Sequence, residues 1–347
     1  MAYTTIDKPS DYFNTNLYTG NNTETSHTVG FQPNFTWLKV RNAVGSHYLF
    51  DSVRGVTKYI QANSNGAEGT DTNILKSFDS NGYTIGTSNA VNSTGETMVG
   101  WNWKAGTSFT NDASATGIGS IDSTGSVNTD AGFSIISYTG TGSVGTVAHG
   151  LGVIPKMILF KNRTTASNWL VYHEAIGNTH NLYLDATNAK GDRSDTFNDT
   201  SPTSSVFTVG TADLNTSGNS IIAYCFADVK GYSKFGSYTG NGQSSEGTFV
   251  YTGFKPSFII RKNIDGGVTE SWIMQDNKRN TFNVVDKWLE ANANAAEDTA
   301  YQTDFLSNGF KMRSNNDGTN RSATNYIYMA FAENPFTTSS GIPACAR

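Results

Sequence analysis

Apolar positions in this chain come in short runs rather than at helical spacing. Lys156-Met157-Ile158-Leu159-Phe160, FSIISY over residues 133–138 and IIAYCFAD from Ile221 are each bounded by Gly, Asn, Ser or Thr. That pattern is how strands punctuated by turns read. One stretch pulls the other way: NVVDKWLEANANAAED from Asn283 sets Val285, Trp288, Leu289 and Asn292 at helical spacing among good helix formers. Its counterparts elsewhere in the chain look like strands entering loops, and copies of one unit do not exchange a strand for a helix, so a strand is expected here too.

Those counterparts exist because the pattern is written three times. LYTGN from Leu17 returns as SYTGT from Ser137 and SYTGN from Ser237. Each is followed by a Gly, a Pro (Pro33, Pro155, Pro256) and an apolar run ending in basic and amide residues: GFQPNFTWLKVRN, GVIPKMILFKNR and GFKPSFIIRKN. SHYLFD, NWLVYH and SWIMQD come next, then YIQANSN, YLDATNA and WLEANAN, and finally MVGWNWKA, IIAYCFAD and YIYMAFAE. Five matches in one order indicate a triplication. The expected organisation is an N-terminal segment (1–10), repeat 1 (11–104), a Gly/Ser/Thr-rich linker (105–130), repeat 2 (131–230), repeat 3 (231–334) and a tail (335–347). Units of roughly 100 residues with six to eight short strands suit a sandwich, so the expected fold is all-β with three tandem β-sandwich repeats, jelly-roll or lectin-like. The linker composition predicts that repeat 1 sits more freely, whereas VKGYSKFGSYTG joins repeats 2 and 3 directly. Tyr-Thr-Gly reads as the end of each unit's first strand, its Gly supplying a positive φ for the turn.

Composition sharpens this picture. Only 15% of the 347 residues are charged and 12% are aromatic, which leaves Ser, Thr, Asn and Gly to carry solubility and large rings to fill a core. A net charge of −5 without clustered Lys or Arg argues against a nucleic-acid partner. No window is apolar enough for a membrane span, and the opening MAYTTIDKPSDYF has no leader pattern. Cys225, inside an apolar run, reads as a buried free thiol, and Cys345 lies near the C-terminus.

Candidate chemistry is sparse. Gly140, Gly142 and Gly145 satisfy G-x-G-x-x-G, but TVAHGLGVIPK follows in place of the helix that a phosphate cradle needs. His27, His47, His149, His173 and His180 form no metal-binding spacing. His47 aligns with Trp169 and Trp272 and reads as an aromatic packing position; His173 and His180, with Glu174, read as a loop. Asp51, His173 and Asp276 share one slot, which favours a turn or cap role over catalysis. Trp101 and Trp103 align with core-like residues of the other copies and read as core. No acid pair for glycoside hydrolysis, serine-nucleophile elbow or calcium loop stands out. The expectation is therefore no enzyme, no catalytic or metal-binding residue and no cofactor, with the binding residues unassigned.

MAYTTIDKPSDYF, GFQPNFTWLKVRN, LFDSVRG, VGWNWKAG, AHGLGVIPKMILFKNR, AYCFADVKGYSKFGSYTGNG, GFKPSFII and AFAENPF together resemble a family of virion structural or tail-fibre proteins of tailed phages, especially marine and cyanobacterial ones. The resemblance runs from Met1 past Phe336. It implies a virion component, on the tail in preference to the capsid, made in the host cytoplasm and contacting other virion proteins. It implies host attachment, through a surface glycan, by a homo-oligomer with a trimer as the first expectation and a monomer imitating a trimer as the second. Capsid decoration or a passive connector is the alternative, and a polysaccharide-degrading tailspike a further one. The chain shows neither the heptads nor the collagen triplets of ordinary fibres.

Overall fold

The last apolar run of each copy is buried over nearly its whole length. Thr97–Trp103, Ser220–Phe226 and Asn325–Pro335 are inner strands, covered on both faces, which is why they read as continuous runs and do not alternate. The structure, a computed structural model, describes residues 3–266 and 270–344. Each inner strand pairs antiparallel on one side with the strand that carries Tyr-Thr-Gly (Phe13–Thr19, Phe133–Thr139, Ser233–Thr239). On its other side lies the strand that follows the proline in the first two segments and contains it in the third (Phe35–Val40, Met157–Asn162, Phe254–Asn263). Outward from there come Tyr48–Asp51, Leu170–His173 and Ile273–Asp276, then Lys58–Gln61, His180–Tyr183 and Val285–Glu290.

This strand order is the same in all three segments, and so is the register. Phe35, Met157 and Phe258 lie two residues beyond Pro33, Pro155 and Pro256 and pair with Trp103, Phe226 and Phe331. The run from Asn283 does contain a strand, Val285–Glu290. One block of the sequence comparison is out of step: Ile60, Leu182 and Leu289 face equivalent partners Leu49, Val171 and Met274, so Tyr183 corresponds to Gln61 and not to Tyr59. The aromatic match there was fortuitous; backbone pairing decides.

Two kinds of core result. Smaller sheets, Thr25–Thr28 with Gly82–Ile85 and Leu75–Asp79 in the first segment and Gly145–Ala148 with Val206–Val209 in the second, each enclose an apolar cluster with the large sheet; in the third segment the covering strands Asp298–Leu306, Gly309–Met312 and Phe249–Tyr251 continue the large sheet itself around its cluster. The opposite faces of the three large sheets meet in a single cluster that includes Phe13, Trp37 and Trp103 from the first segment, Phe133, Trp169 and Phe226 from the second, and Phe258, Trp272 and Phe331 from the third. Trp103, Phe226 and Phe331 touch one another, with ring centroids 5.7 to 6.4 Å apart.

Two expectations are thereby corrected. Residues 105–130 are no loose linker: Thr107–Asn111 and Ser123–Asn128 form a hairpin that extends the second large sheet beyond Phe133–Thr139. Backbone pairing holds this hairpin to an existing edge, so its strands need few apolar side chains. Nor does the first segment sit freely, because its aromatic residues are shared with the common cluster.

Candidate functional site

The slot shared by Asp51, His173 and Asp276 lies at the seams between segments. Asp51 accepts from the backbone N–H of Val53 and Arg54, pairs with the buried Arg54 guanidinium at 2.5 Å, and accepts the Tyr224 hydroxyl of the second segment at 2.6 Å. Glu68 continues the cluster to Arg163 of the second segment, at 2.8 and 3.1 Å. Asp276 repeats the arrangement with Arg279 at 2.5 Å and the Trp101 indole N–H at 3.1 Å, and Glu297 reaches Arg41 at 2.8 and 3.0 Å. The third seam is different. There Met329 takes the place of Tyr224 and Trp101 in the register, and Ile176 the place of Arg54 and Arg279. A carboxylate would have neither a cation nor a side-chain donor, and the slot holds His173, whose Nε2 lies 3.3 Å from the Tyr328 carbonyl oxygen. Burial pushes that imidazole down to about 4. The cap role expected for the slot is present, together with seam bonding that the sequence did not show.

Tyr-Thr-Gly is a clasp. The hydroxyls of Tyr18, Tyr138 and Tyr238 donate to the carbonyls of Val91, Leu214 and Thr319, at 2.7 to 2.8 Å. The next residues, Asn92, Asn215 and Asn320, accept the backbone N–H of Asn21, Thr141 and Asn241. Gly20, Gly140 and Gly240 follow the tyrosines for want of room: a Cβ there would collide with the carbonyl oxygens of Ser93, Thr216 and Arg321. Positive φ, expected of these glycines, falls on Gly142 and Gly242 instead. The G-x-G-x-x-G match is thus part of a structural clasp.

The other candidates are packed into the fold. His47 accepts from Trp37 Nε1 at 2.8 Å, His149 accepts from the Leu151 N–H, and the His27 ring lies 4.0 Å from that of Tyr18. His180 pairs in the sheet with Asp192, whereas His173 is at the seam. Trp101 and Trp103 are buried. Burial raises the Cys225 thiol to about 12; Cys345 lies outside the described residues. Among the described residues no three His, Cys, Asp or Glu side chains form a group able to hold a metal ion.

Lys39, Lys161 and Lys262, each six residues beyond its proline, are buried. Lys161 Nζ donates across a seam to the Asn65 carbonyl at 2.9 Å, and Lys262 Nζ to that of Thr187 at 3.2 Å. Desolvation lowers all three from 10.5 to about 8. Between those values the unfolded chain holds protons that the folded chain has released, so stability rises with pH across the window. Above the ordinary tyrosine value of 10, buried phenols such as Tyr83, raised by desolvation, reverse the slope. Urea midpoints should increase from pH 8 to 9.5, and Lys161→Met should flatten the increase; a midpoint that falls across this range contradicts the assignment.

One open cleft stands apart from these structural clusters. It has a volume of about 520 Å³ and lies on the third segment, lined by Phe282, Val285, Phe305, Asn277, Asn280 and Asn308 among others. Phe282 on its rim is 80% exposed. The loop beneath is fixed by amides: Asn283 bonds both the N–H and the carbonyl of Phe305, and Asn280 bonds the Asp286 carboxylate and the N–H groups of Asp286 and Lys287. Lys255 and Glu333 pair at 2.7 Å in the wall. Among the described residues the exposed large aromatics are Phe249, Tyr251, Phe282 and Phe336, all in the third segment or just after it.

Fold and surface together define an all-β protein of several sheets around a shared aromatic core, with one aromatic-rimmed cleft. Among the described residues no helix is long and apolar enough to cross a membrane. The chain belongs to the family described as a domain of unknown function, DUF7483, which it matches over residues 8–335. No curated protein and no solved structure matches it.

Proposed function

We propose that this chain is a non-enzymatic phage virion protein, a tail fibre or tail-associated component that contributes to host-surface recognition, built from three tandem copies of one sandwich-like unit. The observation that carries the recognition reading is the asymmetry of the surface. Three segments share strand order and register, yet among the described residues exposed large aromatics are confined to one of them and the residues just after it. A scaffold that only spaced other proteins would have no need to differentiate one copy; an exposed ring on the rim of a cleft is a recognition feature. The common core supports a chain that imitates a trimer within itself, with avidity supplied by several chains per particle. It needs no cofactor, and its partners are other virion proteins and a host surface glycan. Passive architecture, as a connector or capsid decoration, is the second reading, favoured by the closed common core.

Immunogold labelling of intact particles tests the placement. Label at the tail tip or fibres is the expected result, and label confined to capsid faces contradicts the tail reading. Incubation of purified protein with host polysaccharide should release no reducing sugar; release abolished by replacing one carboxylate would make the protein a tailspike enzyme.

A further inference from the structure

At the cleft on the third segment this copy has gained chain. From the end of the fourth strand to the residue facing that strand's second residue, Asp51 to Ile60 and His173 to Leu182 each span nine positions, whereas Asp276 to Leu289 spans thirteen. The longer connection is the stretch that raises Phe282 and is fixed by the Asn280 and Asn283 amides. Exposing a phenyl ring to water on a fixed loop does nothing for folding. A pre-formed aromatic platform lowers the ordering cost of binding.

We propose that this cleft is a binding subsite for a neutral, hydroxyl-rich saccharide, with Phe282 as the stacking platform. The proposal rests on the surface-recognition reading above and assigns it a place. A pyranose ring has an apolar C–H face and a rim of hydroxyls. It matches a flat ring beside amides, which both donate and accept. Asn277, Asn280 and Asn308 line the cleft with Ser307, and the Asn277 side-chain oxygen, shielded from bulk water, has no hydrogen-bond partner. A buried acceptor without a donor is unfavourable, and rotation of the Asn277 amide toward the cleft would give that oxygen a sugar hydroxyl or its bridging water as donor. Charge argues the same way. Lys255 and Glu333 neutralise each other, so an anionic sugar meets no unpaired cation, and Glu333 is the single carboxylate among the lining residues. Hydrolysis by the usual route needs two, which makes this a site that holds sugar without cleaving it.

Saturation-transfer NMR with maltopentaose, cellopentaose and N-acetylchitopentaose, each at millimolar concentration, tests the proposal on the full chain. At least one should receive saturation from the wild-type protein. Phe282→Ala should weaken that binding by about tenfold or more and leave the thermal transition in place, since the ring is exposed. Phe282→Trp should retain it, and Asn277→Leu should reduce it. No transfer to any of the three, or binding indifferent to Phe282→Ala, overturns the subsite. Pull-down of the protein by whole cyanobacterial cells separates the two levels: cell binding that survives Phe282→Ala overturns the cleft and leaves the recognition reading standing. Oligosaccharide binding lost in Phe282→Ala, with no cell binding by the wild type, supports the cleft and removes the recognition reading.

Discussion

Phe226→Ala should lower stability by about 3–5 kcal/mol, the cost of truncating a large core side chain. For a chain of 347 residues that corresponds to a fall in melting temperature of roughly 4–7 °C. Phe226 is 1% exposed, stacks on Phe133 at 4.8 Å, and touches Trp103 and Phe331 of the other two segments. The cavity would therefore open where all three segments meet, and partial collapse of one sheet could not close it. Calorimetry should show a single transition displaced as a whole. An unchanged transition would make the strand peripheral; early melting of the second segment alone would show that the common cluster does not couple the three.

Asp51→Ala should be nearly as damaging, at about 3–5 kcal/mol, because it strips a buried guanidinium of its counter-charge. Arg54 would keep the Leu49 carbonyl at 2.8 Å and the longer contact to Glu68 at 3.4 Å, while the Tyr224 hydroxyl and two backbone N–H groups would lose their acceptor. The molecule already contains a neutral alternative at its third seam. Replacing the cluster as a set, Asp51→His with Arg54→Ile and Tyr224→Met, should recover most of the loss, since no uncompensated charge then remains. Urea denaturation of the single and triple variants decides. A single variant within about 1 kcal/mol of wild type would show that water reaches Arg54 and that the seam charge is not confined.

Much of the fold was legible along the chain. Short apolar runs and Gly/Asn turns gave strands, and the recurring Pro33, Pro155 and Pro256 gave the matching middle strands, because a local pattern of this kind is written directly in residue order. Where two local signals conflicted at Asn283, comparison with the other copies favoured the strand that is present. The candidate cleft was not legible. Phe282 sits in a run that reads as ordinary loop, and the extra length of its connection becomes visible once Leu289 is placed opposite Met274. The buried lysines left a readable trace, a Lys at the same distance after each proline, although its meaning depended on burial. Arg261 left a misleading one. It belongs to the basic end of a strand, yet it is enclosed among Gln275, Thr303 and the Met312 sulfur, where the other segments place Leu38 and Phe160.

By itself the sequence determined an all-β chain, the positions of its principal strands and the equivalence of Trp103, Phe226 and Phe331, since these follow from periodicity and repetition. Tertiary structure decided which faces of the sheets meet. Residues 105–130 looked like linker because an edge hairpin can be held by backbone hydrogen bonds that composition does not record. The exchange of Asp for His at residue 173 reads in the sequence as favouring a turn or cap role over catalysis. It follows from the loss of a cation at Ile176, three residues on, and of a donor at Met329, a residue distant in the chain that only the closing of three sheets around one core brings to the same seam.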